Sequence, residues 1–291
     1  ENNLQRQLLE IWERLLDIQG IGIDDHYFDL GGHSILALQL FTEIEKLTGI
    51  RLPLATVFKA PTIRELASVL QSNQPTTNWQ SLVSINPNGT QPPLFAVPGI
   101  GGNVVGFYEL AQLVGGTHPF YGLQSRGLDG QAEPFSTVED IAKHFVSEIK
   151  KVQSSGPYFL IGSCIGGIIA WEMAQQLSAK GEKIALLAML ETWPPHSLQG
   201  SRWTIPNFLR APAFFFTVSF RIIAQIFRSG RKEGVARFFK ALRGLREMVH
   251  SRDVYRGDRE ILFRDKVSEA NRKAAANYVP QPFSGRIELI I

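Results

Sequence analysis

The chain has 291 residues, about twice the length of a typical domain, so two domains are expected. Its 44% hydrophobic and 20% charged residues allow a packed core and argue against disorder. A single cysteine excludes a disulfide framework and a CxxC zinc site, and no metal site is expected. No basic and apolar leader opens the chain, so we expect a cytoplasmic protein, and the initial Glu1 indicates a piece of a longer one.

The net charge of +3 hides an asymmetry along the chain. Residues 1–75 carry 6 Lys/Arg against 10 Asp/Glu, a net of −4, whereas residues 201–273 carry 17 against 7, a net of +10. The nine phenylalanines of the basic segment argue against a nucleic-acid tail, and its apolar stretch 211–227 is too short for stable membrane insertion. The acidic region is therefore predicted to dock on the basic one.

Residues 1–72 have the pattern of a small bundle of four helices, and the polar residues 73–80 that follow are predicted to be a linker. Apolar residues recur at helical spacing in two segments, Leu4, Leu8, Ile11, Leu15 and then Leu36, Leu40, Ile44, Leu47. Thr62 and Glu65 form a capping box that opens the last helix.

The loop from Asp25 to Ser34 carries the first chemical signal. Its two glycines allow a sharp turn that leaves Ser34 at a helix N-terminus, where unpaired N–H groups favour an attached anion such as a phosphate. On the local pattern alone, the ordinary role of N-cap suits Ser34 better. His26 and His33 suit loop and helix-entry roles better than metal binding.

The string Asp-x-x-Phe-Asp-x-Gly-Gly-x-Ser, which ends at Ser34, resembles the peptidyl carrier domains of nonribosomal peptide synthetases. The likeness covers residues 1–72, including the run from Leu54 to Leu66. It implies that the Ser34 hydroxyl carries covalent 4′-phosphopantetheine. It also implies two partners, a phosphopantetheinyl transferase and the upstream domains of a synthetase module.

Residues 81–291 alternate strand-like and helix-like segments, which predicts an α/β fold with a mainly parallel sheet. The predicted strands are 94–97, 119–123, 158–161, 184–190 and 286–291, and the predicted helices are 138–152 and 168–179. Gly162-x-Cys164-x-Gly166, between a strand and a helix, has the spacing of a nucleophile elbow. There the helix dipole is expected to stabilise a Cys164 thiolate. A buried, inert cysteine is the alternative; Ser163, a rival nucleophile, lies one position too early.

This second region resembles the terminal thioesterase domains of nonribosomal peptide and polyketide synthetases, which are α/β-hydrolases. The matching strings are 93–99, 121–124, 157–162, the elbow and 186–195. The resemblance implies a triad in which Cys164 replaces the usual serine and Glu191 the usual aspartate. It also implies oxyanion donors at the N–H groups of Ile100 and Ile165, and a helical lid at about 198–273.

The histidine of the triad follows the last strands in this family, but no histidine follows the predicted strand 286–291. His196 and His250 occupy other positions, and we assign neither. The hydrolase domain is therefore expected to be incomplete at its C-terminus, and the chain impaired as it stands.

The predicted function is that of a terminal carrier–thioesterase didomain. A carrier-bound peptidyl or acyl chain would pass from the Ser34 arm to Cys164 and leave by hydrolysis or cyclisation. A catalytically silent domain that only docks the carrier is the alternative.

Overall fold

A computed structural model describes residues 2–72, 80–192, 266–283, 285 and 287–290. Two predicted features lie wholly or mostly outside these residues. One is the linker 73–80, of which only Gln80 is described, and the other is the lid 198–273, described only from Lys266 onward.

The N-terminal domain contains four helices, α1 (Asn3–Leu16), α2 (Ser34–Thr48), α3 (Thr56–Lys59) and α4 (Ile63–Gln71). The capping box predicted at the start of α4 is present, since Thr62 and Glu65 each bond the other's backbone N–H. The apolar stripes predicted for α1 and α2 contribute Leu8, Leu40 and Ile44 to one buried cluster. Leu47, predicted on the same stripe, is exposed instead because it lies in the last turn of α2.

The described residues of the second domain form a six-stranded sheet in the order β1-β3-β2-β4-β5-β6. The strands are β1 (Leu82–Asn86), β2 (Leu94–Val97), β3 (Phe120–Leu123), β4 (Tyr158–Ser163), β5 (Ile184–Leu190) and β6 (Glu288–Ile290). Only β1 pairs antiparallel, to β3, and the other described pairings are parallel. The carboxyl ends of β2, β4 and β5 therefore meet at one edge, which is where ligands bind in such sheets.

Helices cover both faces of this sheet. They are α5 (Tyr108–Val114), α6 (Val138–Val152), α7 (Ile165–Ser178) and α8 (Lys266–Asn277), with a short 3₁₀ turn at Val105–Phe107. Alternate residues of β2 enter different clusters, as expected for a strand buried on both sides. Phe95 packs with α6, α7 and α8, whereas Ala96 packs with α5.

The start of α8 overlaps the end of the predicted lid. Val267 and Asn271, which fall within the predicted range, are buried, and Ala274 and Ala275 on the next turn belong to the main hydrolase cluster. The described part of the predicted lid thus packs as part of the hydrolase domain.

Candidate active site and carrier site

Cys164 occupies a strained turn between β4 and α7, with φ 54° and ψ −123°. A residue other than glycine in such a conformation costs on the order of 1–3 kcal/mol, and such strain is found mainly at functional sites. The turn depends on its glycines. A Cβ on Gly162 would strike the backbone of Gly166, and a Cβ on Gly166 would strike the carbonyl oxygens of Val97 and Pro98. The elbow predicted from the glycine spacing is therefore formed.

The pKa of the Cys164 thiol lies above its ordinary value. Burial is the largest cause, and the negative charge of Glu191 adds to it. A hydrogen bond with the backbone N–H of Ile165 lowers the pKa, but by less than burial raises it. The expected stabilisation of a thiolate by the helix dipole is thus wrong as a net effect, because loss of solvent outweighs it. The raised pKa favours the neutral thiol of Cys164 over its thiolate.

Glu191 follows the last residue of β5 and lies close enough to influence the Cys164 thiol. The backbone N–H of Cys164 donates to the carbonyl of Leu190 at 2.8 Å, which ties the elbow to the residue before Glu191. Glu191 also has a positive φ of 50°. The residue keeps an exposed surface, yet the surrounding protein desolvates its carboxyl group enough to raise its pKa.

The four described histidines are engaged away from Cys164. His118 contacts the carbonyl oxygen of Pro92 through Nδ1 at 2.7 Å, and His144 contacts Ser81 Oγ through Nε2 at 2.6 Å. His26 lies among the aromatic rings described below, and His33 caps α2. The two other histidines of the chain, His196 and His250, lie outside the described residues.

The loop after β2 lies against the elbow. A Cβ on Gly99 would lie 3.5 Å from Cys164 Cβ, so the backbone next to Ile100 passes close to Cys164. The N–H of Gly102 donates to the carbonyl of Gly99 at 2.9 Å, which closes a turn around Ile100. Among the described residues, no hydrogen-bond acceptor lies against the Ile100 N–H. Ile165, the other predicted donor, is the first residue of α7 and follows Cys164 directly.

At the carrier site, His33 and not Ser34 is the N-cap of α2. Its Nδ1 accepts a long hydrogen bond of 3.5 Å from the N–H of Leu36. The Tyr27 hydroxyl donates to the His33 carbonyl at 3.1 Å, and a Cβ on Gly32 would overlap the Tyr27 ring. The capping role considered for Ser34 is thus filled by its neighbour.

Ser34 is the first residue of a 15-residue helix and is half-buried. Its hydroxyl has no hydrogen-bond partner among the described residues. A free hydroxyl beside the first-turn N–H groups of a helix fits the attachment of a phosphate ester. The residues present are therefore compatible with a phosphopantetheine arm.

The two domains meet through aromatic side chains. The rings of Phe28 and Tyr108 stack with centroids 3.6 Å apart, and Phe58 and His26 flank this pair at 5.7 and 5.9 Å from Phe28. Val105, which is 2% exposed, packs within the carrier cluster. The docking predicted on the basic segment 201–273 concerns residues that are almost all outside the described ranges, and it stays a prediction.

Within the described part of the chain, no helix is long and apolar enough to cross a membrane. No group of three or more His, Cys, Asp or Glu residues there is arranged to hold a metal ion.

Comparison with known families matches both parts of the chain. The family model described as "Thioesterase domain" matches residues 92–249, and the one described as "Phosphopantetheine attachment site" matches residues 6–70.

Among curated proteins, a dimodular nonribosomal peptide synthase of Bacillus subtilis (strain 168) is 38% identical over 191 residues. This match covers 66% of the chain and 8% of the relative. An indigoidine synthase of Dickeya dadantii (strain 3937) is 33% identical over 196 residues, 67% of the chain and 13% of the relative. The chain therefore spans a small fraction of the length of the curated relatives it matches.

A solved four-domain nonribosomal peptide synthetase, in its holo form with AMP and glycine, aligns over 99% of the chain and 22% of its own length. Its TM-score is 0.53 and its sequence identity 24%, a likeness that concerns the fold. Fold and site together define an α/β-hydrolase that follows a carrier domain. The chain belongs to the thioesterase domain family, and its carrier domain is one that takes covalent 4′-phosphopantetheine.

Proposed function

We propose that this chain accepts a peptidyl or acyl group from a phosphopantetheine arm on Ser34 onto Cys164, and then releases it at the end of a nonribosomal peptide assembly line. The strained elbow at Cys164, with Glu191 beside it and the Gly99–Gly102 turn against it, is the observation that carries this proposal. The relatives named as nonribosomal peptide synthases support the pathway class.

When bound, phosphopantetheine presents the acyl group as a thioester. The Cys164 sulfur, once its proton is removed, attacks the thioester carbonyl carbon, and the N–H groups of Ile100 and Ile165 stabilise the negative charge on the carbonyl oxygen. Such donors are typically worth about 3 kcal/mol of the barrier each. The bond from carbonyl carbon to the arm's sulfur then breaks, and that sulfur takes up a proton.

Release repeats the chemistry in the opposite direction. Water, or a nucleophile within the acyl chain, attacks the carbonyl carbon held on Cys164, and the Cys164 sulfur leaves and regains a proton. Because the thiol pKa is raised, both half-reactions require a base. Glu191 is placed to orient an imidazole and to stabilise its charged form, as the acid of a triad does.

The test uses the parent chain and three variants of it, and a phosphopantetheinyl transferase loads each with an acyl-phosphopantetheine from acyl-coenzyme A. Intact-mass and peptide analysis should locate the arm on Ser34 and then the acyl group on Cys164. Ser34→Ala should prevent loading, and Cys164→Ala should leave the acyl group on the arm. Ser163→Ala is the matched control and should behave as the parent chain. Loading of Ser34→Ala, or transfer in Cys164→Ala, would contradict the proposal.

A further inference from the structure

Asn271, on helix α8, is hydrogen-bonded to the loop that holds the proposed oxyanion donor. Its side-chain Nδ2 donates to the carbonyl of Ile100 at 3.0 Å and to Ser125 Oγ at 3.3 Å. The residue is 3% exposed, and 171 positions separate it from Ile100. A buried amide is stable only when its polar atoms are bonded, so these contacts fix the amide and the loop together.

Hydrogen bonds hold the peptide groups on both sides of Ile100. The carbonyl of Gly99 accepts from Gly102, and in a trans peptide the carbonyl and the N–H point in opposite directions. The Ile100 N–H is therefore directed away from the inside of this turn. Asn271 holds the next peptide group through the Ile100 carbonyl.

Ser125 continues the same network. The Ser125 N–H donates to the Gly102 carbonyl at 2.9 Å. A main-chain hydrogen bond therefore also joins the segment after β3 to the loop that contains Ile100. Among the described hydrogen bonds of this network, only the one donated by Asn271 is made to Ile100 itself. Catalysis by an oxyanion donor depends on its orientation before the charge develops, because reorientation during the reaction costs free energy.

We propose that Asn271 is a positioning residue, which sets the orientation of the Ile100 N–H toward the acyl carbonyl oxygen. This inference rests on the proposed function.

Two substitutions of similar size remove the donor, Asn271→Asp and Asn271→Leu. In Asp, the carboxylate would face the Ile100 carbonyl oxygen without a proton to share, and in Leu an apolar group would leave that oxygen unpaired. Asn277, exposed on the last turn of the same helix, offers matched controls as Asn277→Asp and Asn277→Leu.

The experiment compares two reactions of Cys164 in the full chain. Iodoacetamide alkylates the thiolate without creating an oxyanion, whereas acylation by an S-acyl N-acetylcysteamine thioester does create one. The Asn271 variants should acylate about 10- to 100-fold more slowly at saturating thioester with KM unchanged, less than the 10²–10³ lost when a donor is removed. Alkylation should stay within about twofold, and the Asn277 variants should match the parent chain in both reactions.

Amide hydrogen exchange of residues 99–103 gives a readout that needs no turnover, and it should accelerate in the Asn271 variants alone. If the parent chain is alkylated by iodoacetamide but never acylated by the thioester, the proposed function fails. If, in addition, amide hydrogen exchange of residues 99–103 is the same in the Asn271 variants as in the parent chain, the positioning role fails as well. Folded Asn271 variants that acylate normally, or that lose alkylation and acylation equally, would also overturn it.

Discussion

The Phe28 ring of the carrier domain lies parallel to the Tyr108 ring of the hydrolase domain, with centroids 3.6 Å apart and planes 9° apart. Phe28 belongs to the loop that leads to Ser34, and Tyr108 begins the helix that follows the loop of Ile100. One contact thus joins the segment that precedes Ser34 to the segment that follows Ile100, the proposed oxyanion donor. Burial raises the pKa of Tyr108, and the negative charges of Asp29 and Glu109 add to this effect.

The first prediction concerns this stack. Tyr108→Ala should slow transfer from the Ser34 arm to Cys164 by about 5- to 30-fold, because losing the ring removes about 1–2 kcal/mol of docking free energy. Acylation by a free N-acetylcysteamine thioester should not change, since it needs no carrier. Quench-flow with intact-mass detection measures both rates.

Tyr108→Phe keeps the stacked ring and serves as the control, so it should transfer at the parent rate. Equal slowing of carrier-bound and free thioesters in Tyr108→Ala would show that the ring supports the active site itself and not docking.

The second prediction concerns pH. The Glu191 charge raises the pKa of the Cys164 thiol, although burial is the larger cause. Glu191→Gln should therefore lower this pKa, and the alkylation of Cys164 by iodoacetamide should rise at lower pH than in the parent chain. The parent profile should itself rise above the pH at which an ordinary thiol ionises. Glu182, a partly buried carboxylate paired with Lys150, provides a control in Glu182→Gln, which should leave the profile in place.

The third prediction concerns the elbow glycines. Alanine usually stabilises a helix by about 1 kcal/mol relative to glycine, and Gly166 lies within α7. Gly166→Ala should nevertheless destabilise the chain by about 1–3 kcal/mol, because the new methyl group meets the carbonyl oxygens of Val97 and Pro98. Urea unfolding measures the change. Gly106→Ala, where a Cβ meets nothing within 4 Å, is the control and should be close to neutral. If Gly166→Ala were instead more stable than the parent chain, the surrounding backbone would accommodate the methyl group at no cost in stability.

Some elements of the fold could be predicted from the sequence with the observed bounds, including β2 (Leu94–Val97), α6 (Val138–Val152) and β5 (Ile184–Leu190). These have either a short apolar run or a clear helical stripe, both of which are local signals. The antiparallel edge strand β1 (Leu82–Asn86) is not predicted from the sequence, because its apolar run is short and interrupted by Ser84.

The candidate active site likewise has some features that the sequence predicts and others that it does not. The elbow at Cys164 follows from glycine spacing, and the closeness of Glu191 follows from two parallel strands that end at one edge. The raised pKa of Cys164 could not be predicted, because the sequence shows a helix N-terminus but not how deeply the thiol is buried. Neither Tyr108 nor Asn271 carries a local motif, and each gains its contact only through tertiary packing over long separations.

The last prediction concerns the choice of cysteine over serine at the elbow. Transfer from a pantetheine thiol to Cys164 exchanges one thioester for another, so it is close to neutral in free energy and keeps the acyl group activated. Transfer to a serine would give an oxygen ester, which is less reactive toward the next nucleophile. Cys164→Ser should therefore still be acylated, more slowly because a hydroxyl ionises far less readily than a thiol.

Its acyl-enzyme should then persist, with release shifted away from cyclised product and toward stalled ester or simple hydrolysis. The measurement loads the same acyl group on the Ser34 arm of both chains, and follows acyl-enzyme by intact mass and products by chromatography. Cys164→Ala, which cannot be acylated, fixes the background of uncatalysed loss from the arm. An unchanged product ratio with comparable turnover in Cys164→Ser would mean that the two nucleophiles are interchangeable here. Accumulated oxygen ester with little cyclised product would show that the thioester stage drives a demanding release step.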